Sequence, residues 1–306
     1  MKVLVTGAGG FVGHHLVAHL EAEGDEVIPT DRSLGGPDLN DGDALTALFI
    51  DVAPEAIYHL AGDADVGGSW NHPGATFRNN ANGTLALLEA ARAAKVRRVL
   101  SISSADVYGK VRPDELPLTE SSPLRPTSPY AASKVAAEYL GLQAHLGHGL
   151  DVIGVRAFNH IGPGQSTNFV APAVACRIAE AERDETDEIS AGNLTPRRDI
   201  TDVRDVVRAY RLLVAGGSAG EIYNVCSGRD VSIGELCATL LSLSSRPLTL
   251  VTDPEMQRAV DLPILRGDHG KLTAATGWLP EISIDTSLSD LLVDCRERIE
   301  VAPARA

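Results

Sequence analysis

Tyr130 and Lys134 stand four residues apart in the stretch SPYAASK, a spacing that puts both side chains on one face of a helix. Ser128 is placed to cap that helix and Pro129 to open it. A phenol with an ordinary pKa of ~10 relays protons poorly near neutrality, and a neighbouring ammonium favours the phenolate and lowers that value. The pair can therefore carry a proton to or from a sugar or alcohol oxygen. Taken alone, a Tyr and a Lys at this spacing are more often an exposed surface pair. What argues for chemistry is SISSADVYG, a strand-like run ending in the hydroxyls of Ser103 and Ser104, because open parallel sheets gather ligands beyond the carboxyl ends of their strands. Ser104 is placed to hydrogen-bond the same substrate oxygen as Tyr130.

A second group of residues suits a phosphate. VLVTGAGGFVGHHL sets Gly7, Gly10 and Gly13 after an apolar strand and at the mouth of a helix. Glycines so placed allow a tight turn, close approach of backbone to a pyrophosphate, and close helix-on-strand packing, while helix N-terminal amides face the anion. Phe11 and Val12 belong to the same turn. At the end of the second strand, Asp31 is positioned to bond adenosine ribose hydroxyls, which favours NAD; Arg32 beside it can accept a 2′-phosphate, which leaves NADP open. His15 and His19 share a helix face, but no Glu follows the first and no third ligand is apparent, so they read as surface residues and no metal site is expected.

The elements that must hold these groups are legible in the periodicity. KVLVTG, DEVIPTD, AIYHLAG, RRVLSISS and LDVIGVRA read as strands of four to six residues buried on both faces. Between them lie the helical segments FVGHHLVAHLEAEG, NGTLALLEAARAAK and YAASKVAAEYLGLQAH. Strict alternation implies an α/β protein with a Rossmann-like doubly wound parallel sheet. After Ala157 the rhythm changes. FNHIGPGQSTNF reads as a long loop and FVAPAVACRIAEAE as a helix outside the alternation, whereas the segment from Thr201 to Ala215 and EIYNVCS return to the sheet. The expected division is a dinucleotide-binding part, 1–163 with 199–227, and a smaller discontinuous α/β substrate-binding lobe, 164–198 with 228–306.

Composition narrows the partners. With 306 residues, 44% of them hydrophobic, the chain can bury ~75% of the surface it would expose unfolded and needs no disulfide. Its formal net charge of −14 argues against nucleic acid or an anionic membrane as principal partner. Cys176, Cys226, Cys237 and Cys295 lie in apolar stretches without any CxxC, which reads as four reduced, buried thiols in a cytoplasmic protein. No signal peptide and no spanning helix is expected.

TGAGGFVG, SSADVYG and YAASK together resemble the extended short-chain dehydrogenase/reductase family, which acts on nucleotide sugars. DLND, HLAG, NANGT, RAFNHIGPGQ, RRDITDV, EIYNVCSG and GDHGKLTAATGW extend the resemblance along nearly the whole chain. It implies that Ser104, Tyr130 and Lys134 act as a catalytic triad, with Lys134 also bonding the nicotinamide ribose. It further implies that Asp38 and Leu39 line the adenine site, that His59, Leu60, Ala61 and Asn80 lie near the cofactor, and that Asn159, Arg198 and Arg258 meet the substrate. FNHIGPGQ, DVRDVVRAYRLL and YNVCSG are most similar to the GDP-4-keto-6-deoxy-D-mannose reductase branch, implying a GDP-linked sugar whose C4 carbonyl is reduced with NAD(P)H, and a homodimer paired through the helices beginning near Thr84 and Tyr130.

Alternatives share the triad. A 4-epimerase uses the same three residues, and a 4,6-dehydratase of the GDP-mannose type adds an acid and a base. In related dehydratases a glutamate takes the position of Asp106, and Ala105 stands where the dTDP-glucose enzymes carry an aspartate. Ile200 and Ala259 also depart from the family, which has an aromatic residue and a proline there. A non-enzymatic dinucleotide sensor is the alternative of another class, disfavoured by a complete acid–base site. In TPRRDITDVRDVVRAY, Arg198 is read as a diphosphate contact, Asp199 as orienting that arginine or neighbouring backbone, Thr201 or Asp202 as a helix cap, and Arg204 and Arg208 as a solvated face.

Overall fold

The structure, a computed structural model, describes residues 1–253 and 262–301. Its first half runs β1 (Lys2–Thr6), α1 (Phe11–Ala22), β2 (Glu26–Thr30), α2 (Gly42–Val52), β3 (Ala56–His59), α3 (Pro73–Phe77), α4 (Gly83–Ala93), β4 (Arg98–Ser104), α5 (Pro129–His148) and β5 (Asp151–Ala157). There follow β6 (Asn159–Ile161), α6 (Val170–Asp184), β7 (Glu188–Ala191), β8 (Arg197–Asp202), α7 (Val203–Gly216) and β9 (Ile222–Val225). The last described stretch holds β10 (Asp230–Ser232), α8 (Ile233–Ser242), β11 (Thr249–Thr252), β12 (Ile264–Leu265), α9 (Gly270–Thr276) and α10 (Ile284–Val301).

Six parallel strands form the main sheet in the order β2-β1-β3-β4-β5-β9. Successive side chains of β1 leave on opposite faces, so Val3 and Val5 pack with Leu16, Leu20 and Leu213 of α1 and α7, while Leu4 packs with Leu45, Phe49 and Leu87 of α2 and α4. That two-sided burial explains why these strands read as unbroken apolar runs. The chain passes from β1 to β2 on one side and then to β3 on the other, so the sheet's switch point lies at the carboxyl ends of β1 and β3. A second core gathers α6, α8 and α10 around Val174, Ile178, Leu236, Leu240, Leu288 and Leu291. Ile200 of β8 is buried in it, and β8 carries β10, β12 and β6.

Several readings of the sequence need correction. β4 and β5 reach seven residues each, longer than expected because they pair with each other along their whole length at the sheet centre. The supposed loop FNHIGPGQSTNF contains β6, whose backbone pairs with β8, and α2 in the acidic stretch after the second strand is a helix that no motif announced. Cys176 and Cys295 are not free thiols: a disulfide joins them across a sequence separation of 119, tying α6 to α10. Their distance along the chain conceals that the two helices pack face to face. Cys226 and Cys237 are free and buried.

Arg204 and Arg208 are not a solvated face either. Arg204 donates to Asp202 (2.7 Å) and to Asp290 of α10 (2.7 Å), and Arg208 donates to buried Asp205 (2.7 Å) and to the Leu279 carbonyl. Asp202 caps α7 through the Arg204 amide and accepts from Ser287 (2.6 Å). Asp205 accepts from the amides of Glu281 and Ile282. Charges that pattern as solvent-facing on an isolated helix thus fasten α7 to the C-terminal segment.

The most deeply placed ion pair lies under the main sheet's carboxyl edge. Arg156 of β5 meets Glu138 of α5 at 2.9 Å, their side chains 6% and 4% exposed. Glu138 also accepts from Ser103 (2.6 Å), and Arg156 donates to the Glu120 carbonyl and the Tyr108 hydroxyl, which in turn donates to Asn224 (2.6 Å). Removing one partner leaves an uncompensated buried charge, so Arg156→Met should lower the unfolding free energy by about 3–5 kcal/mol. Urea denaturation followed by circular dichroism checks this; a loss under about 1 kcal/mol, the level of a surface pair, would contradict it.

Candidate active site

The glycine turn opens the site. Gly7 adopts a φ of +74°, and a side chain there would press on the backbone of Ala61. One at Gly13 would collide with the Gly7 carbonyl, so only glycine lets α1 approach β1. Gly10 begins α1 with no side chain capping it. The N-terminal amides of α1 are thus left without a side-chain cap, a donor set that suits a pyrophosphate. Val12 packs against the main core. The Phe11 ring stacks on His160, and His15 donates from Nε2 to the Pro163 carbonyl (2.8 Å), so this helix also holds the loop that follows β6.

At the far end of the groove, the Asp31 carboxylate accepts from both the amide (2.8 Å) and the hydroxyl (2.7 Å) of Ser33. Arg32 is 74% exposed and lies 3.5 Å from Asp38, which accepts from the amide and side chain of Asn40. Leu39 is partly buried against the core beneath α4. These residues present a carboxylate and a guanidinium at one rim.

On the other side of the switch point, the Leu60 amide donates to the Thr6 carbonyl and the Ala61 amide to the Thr6 hydroxyl. Buried His59 joins Thr6 (2.9 Å) to Thr84 (3.1 Å). Because the Thr84 hydroxyl already donates to the Asn80 carbonyl (2.6 Å), it accepts from His59 Nε2–H, and Nδ1 accepts from Thr6. Burial, reinforced by the Lys134 charge, pushes the His59 pKa down to about 3. Asn80, on the π-helical turn 78–82 between α3 and α4, accepts from the Asp63 amide (2.7 Å) and donates to the Asp63 carbonyl and the Ser133 hydroxyl.

Tyr130 hydrogen-bonds Ser104 and faces Lys134. Ser128 caps α5 by accepting from the Ala131 amide (3.1 Å), and Pro129 fills its first turn, as the sequence indicates. Lys134 donates from Nζ to the Ile102 carbonyl of β4 (3.0 Å) and stands 5.9 Å from the centre of the Tyr130 ring. Burial lowers its pKa to about 8 against the opposing charges of Asp63 and Glu138. Tyr130 departs from the expected direction. Burial raises its pKa, the charges of Asp106 and Asp63 act the same way, and the hydrogen-bonding Ser104 hydroxyl only partly offsets them. With the phenol nearly enclosed, desolvation outweighs the ammonium. Ser104 and Asp106 lie together because the Ser104 hydroxyl caps the turn 105–108 through the Asp106 amide (3.2 Å), while Ala105 faces the core.

Asn159 is exposed on β6, opposite Ile200 of β8. Arg198 of β8 donates to the carbonyls of Arg197 and Leu262 (2.6 Å). Buried Asp199 holds backbone and not that arginine: it accepts from the amides of Ser227, Gly228 and Gly267. Arg258 and Ala259 lie outside the described residues. Sequence reasoning missed Asp63, Thr76 and Ser133 around Asn80, and the Glu138–Arg156 pair beneath; an arginine inside an otherwise apolar central strand was the available signal for the last. Among the described residues no cluster of His, Cys, Asp or Glu suits a metal, and no helix is long and apolar enough to cross a membrane.

A glycine turn and an unblocked helix N-terminus at the switch point of a parallel sheet define a Rossmann-like dinucleotide-binding protein. Residues 3–226 match the NAD dependent epimerase/dehydratase family. GDP-6-deoxy-D-mannose reductase of Pseudomonas aeruginosa is 39% identical over 302 residues, spanning 97% of this chain and 98% of that one. UDP-glucose 4-epimerase of Mycolicibacterium smegmatis is 35% identical across 93% and 95% of the two chains. The structure of RMD from Pseudomonas aeruginosa complexed with NADPH superposes with a TM-score of 0.90, covering 97% of this chain and 100% of that one at 39% identity. The chain belongs to the NAD dependent epimerase/dehydratase family, the extended short-chain dehydrogenases/reductases, and is an NAD(P)-dependent enzyme.

The His59 shift has a thermodynamic consequence. Between an unfolded pKa of ~6.5 and its folded value of about 3, only the unfolded chain takes up the proton, so stability is full above that window and falls as pH drops through it. His59→Gln should flatten the slope of unfolding free energy between about pH 6.5 and 5 by up to ~1.4 kcal/mol per pH unit. Urea denaturation of both proteins across that range measures it; identical slopes would contradict a neutral folded His59.

Proposed function

We propose that the enzyme reduces the C4 carbonyl of a GDP-linked 4-keto-6-deoxyhexose with NAD(P)H. The observation that carries this reading is 39% identity along nearly the whole chain to a GDP-6-deoxy-D-mannose reductase, and the placing of Tyr130 against both Ser104 and Lys134 supports it. The glycines and the α1 amides would hold the pyrophosphate, Asp31 or Arg32 the adenosine ribose, and Lys134 the nicotinamide ribose. The cofactor supplies the hydride that reaches C4. Tyr130 gives its proton to the carbonyl oxygen, and Ser104 donates to the same oxygen so that charge developing there is shared.

An epimerase or dehydratase cycle begins with oxidation of the sugar, for which Tyr130 must act as base, whereas a reductase first uses the phenol as acid. Burial and the charges of Asp106 and Asp63 raise the phenol's pKa, which favours its protonated form. Arg198 with Arg258 would bind the nucleotide diphosphate, and Asn159 would face the substrate. The part built on the second core, 164–198 with 228–306, is read as the substrate lobe, and the main sheet as the cofactor domain.

A homodimer fits the surface. Tyr139 (61% exposed), Leu142 (38%) and Leu146 (74%) line up on α5 beside Leu85 (37%) of α4, at spacings that make one apolar stripe. Leu142→Glu with Leu146→Glu should yield monomers in sedimentation velocity; a wild-type enzyme already monomeric at micromolar concentration contradicts the reading.

Incubation with GDP-4-keto-6-deoxymannose should add the mass of two hydrogens only when reduced cofactor is present. Loss of water from GDP-mannose, or an isomer of unchanged mass, would instead select dehydratase or epimerase. Tyr130→Phe should lower kcat at least about 100-fold with cofactor affinity retained. Arg198→Ala should raise sugar-nucleotide KM about tenfold or more, and Arg32→Ala should raise KM for NADPH but not NADH.

A further inference from the structure

Asp63, in the loop after β3, is built into the site more rigidly than its neighbours. Its amide donates to the Asn80 side chain (2.7 Å), and its carbonyl accepts from the same side chain (3.1 Å). Its carboxylate accepts from the Thr76 hydroxyl (2.9 Å) and the Asp65 amide (3.1 Å). Asn80 also bonds Ser133 (2.9 Å), the residue before Lys134. A side chain on Gly62, the residue before Asp63, would come within 3.7 Å of Lys134 Nζ. Loop, turn and helix are thus locked together, with the backbone just before Asp63 lying against the ammonium.

We propose that Asp63 is a positioning residue of the proton-transfer site, a clamped counter-charge that keeps Lys134 an ammonium and Tyr130 a phenol. This rests on the reading of Tyr130 and Lys134 as the proton-transfer pair. The groups facing that pair come from several elements. Glu138, on α5 itself, is committed to Arg156 and Ser103. His59, from β3, is neutral near pH 7. Asp106, from the turn after β4, bears on the phenol, as Tyr130 in turn bears on buried Tyr210 of α7. Among the described residues, Asp63 bears on both members of the pair, and its carboxylate accepts from the Asp65 amide and the Thr76 hydroxyl. The sign is the same for each: a nearby negative charge favours the protonated ammonium and disfavours the phenolate. Removing it lowers the pH at which either group loses its proton.

The test reads Lys134 directly. The chain has five lysines, Lys2, Lys95, Lys110, Lys134 and Lys271, so a protein labelled with carbon-13 at lysine Cε gives a countable set of signals, with Lys134→Met assigning the one of interest. Asp63→Asn keeps an oxygen acceptor for Thr76 but not the charge. Its Lys134 midpoint should fall by about one pH unit, and the alkaline limb of kcat should move the same way. Asp63→Glu should keep both near wild type. Thr76→Val, which loosens the clamp while leaving the charge, should lower Tm with little change in the midpoint. An unchanged Lys134 midpoint in Asp63→Asn overturns the proposal. Should that variant not fold, Asp63→Ser makes the same comparison under the same criterion. Turnover retained in Tyr130→Phe would instead sink the proton-transfer assignment, and the Lys134 titration would still report on Asp63.

Discussion

The contact between Arg156 and Glu138 is the constraint on which the site's geometry rests. A guanidinium in a central strand is tolerated only when its charge and donors are matched, and here Glu138, Tyr108 and the Glu120 carbonyl do so. Tyr130, Lys134 and Glu138 follow one another at four-residue intervals along α5, on one face of that helix. Fixing Glu138 against β5 and Ser103 of β4 therefore fixes the angular position of the phenol and the ammonium. Lys134, bonded to the Ile102 carbonyl, adds a second attachment between the same helix and β4. Tyr130 and Lys134, the proposed proton-transfer pair, sit on a regular element with two polar fastenings, and the loops complete their surroundings.

The electrostatics of the site follow from that burial. Desolvation moves the phenol and the ammonium in opposite directions, one up and the other down, because it penalises whichever form carries charge. The carboxylates at the rim then favour the protonated form of both. His59, neutral and hydrogen-bonded on both nitrogens, links the ends of β1 and β3 without adding a further positive charge beside Lys134.

The second core is attached through aspartates. Asp199 gathers the amides after β9 and before α9, Asp202 holds Ser287 and Arg204, and Asp205 holds the chain entering α10. Each lies buried with its acceptors filled, so the connection between the two cores is made of directional bonds as well as apolar packing. The Cys176–Cys295 disulfide adds a covalent tie within the second core.

Local signals carried much of this. Apolar runs separated by amphipathic helices determined the doubly wound sheet, since strands buried on both faces have no polar alternation to show. The glycine spacing and the SPYAASK segment determined where the turn and the capped helix begin, because positive φ, close packing and capping are properties of a few adjacent residues. Only the tertiary structure decided which distant groups meet. Asp63 reaches Thr76 and Asn80 through a loop whose path no periodicity encodes. Arg204 and Arg208 find carboxylates and carbonyls from α7 itself to the C-terminal segment, and two cysteines far apart in the chain face each other because α6 and α10 pack together. The pKa of Tyr130 belongs to the same class: spacing placed an ammonium beside it, but the extent of burial, a property of the assembled fold, decided the direction of the shift.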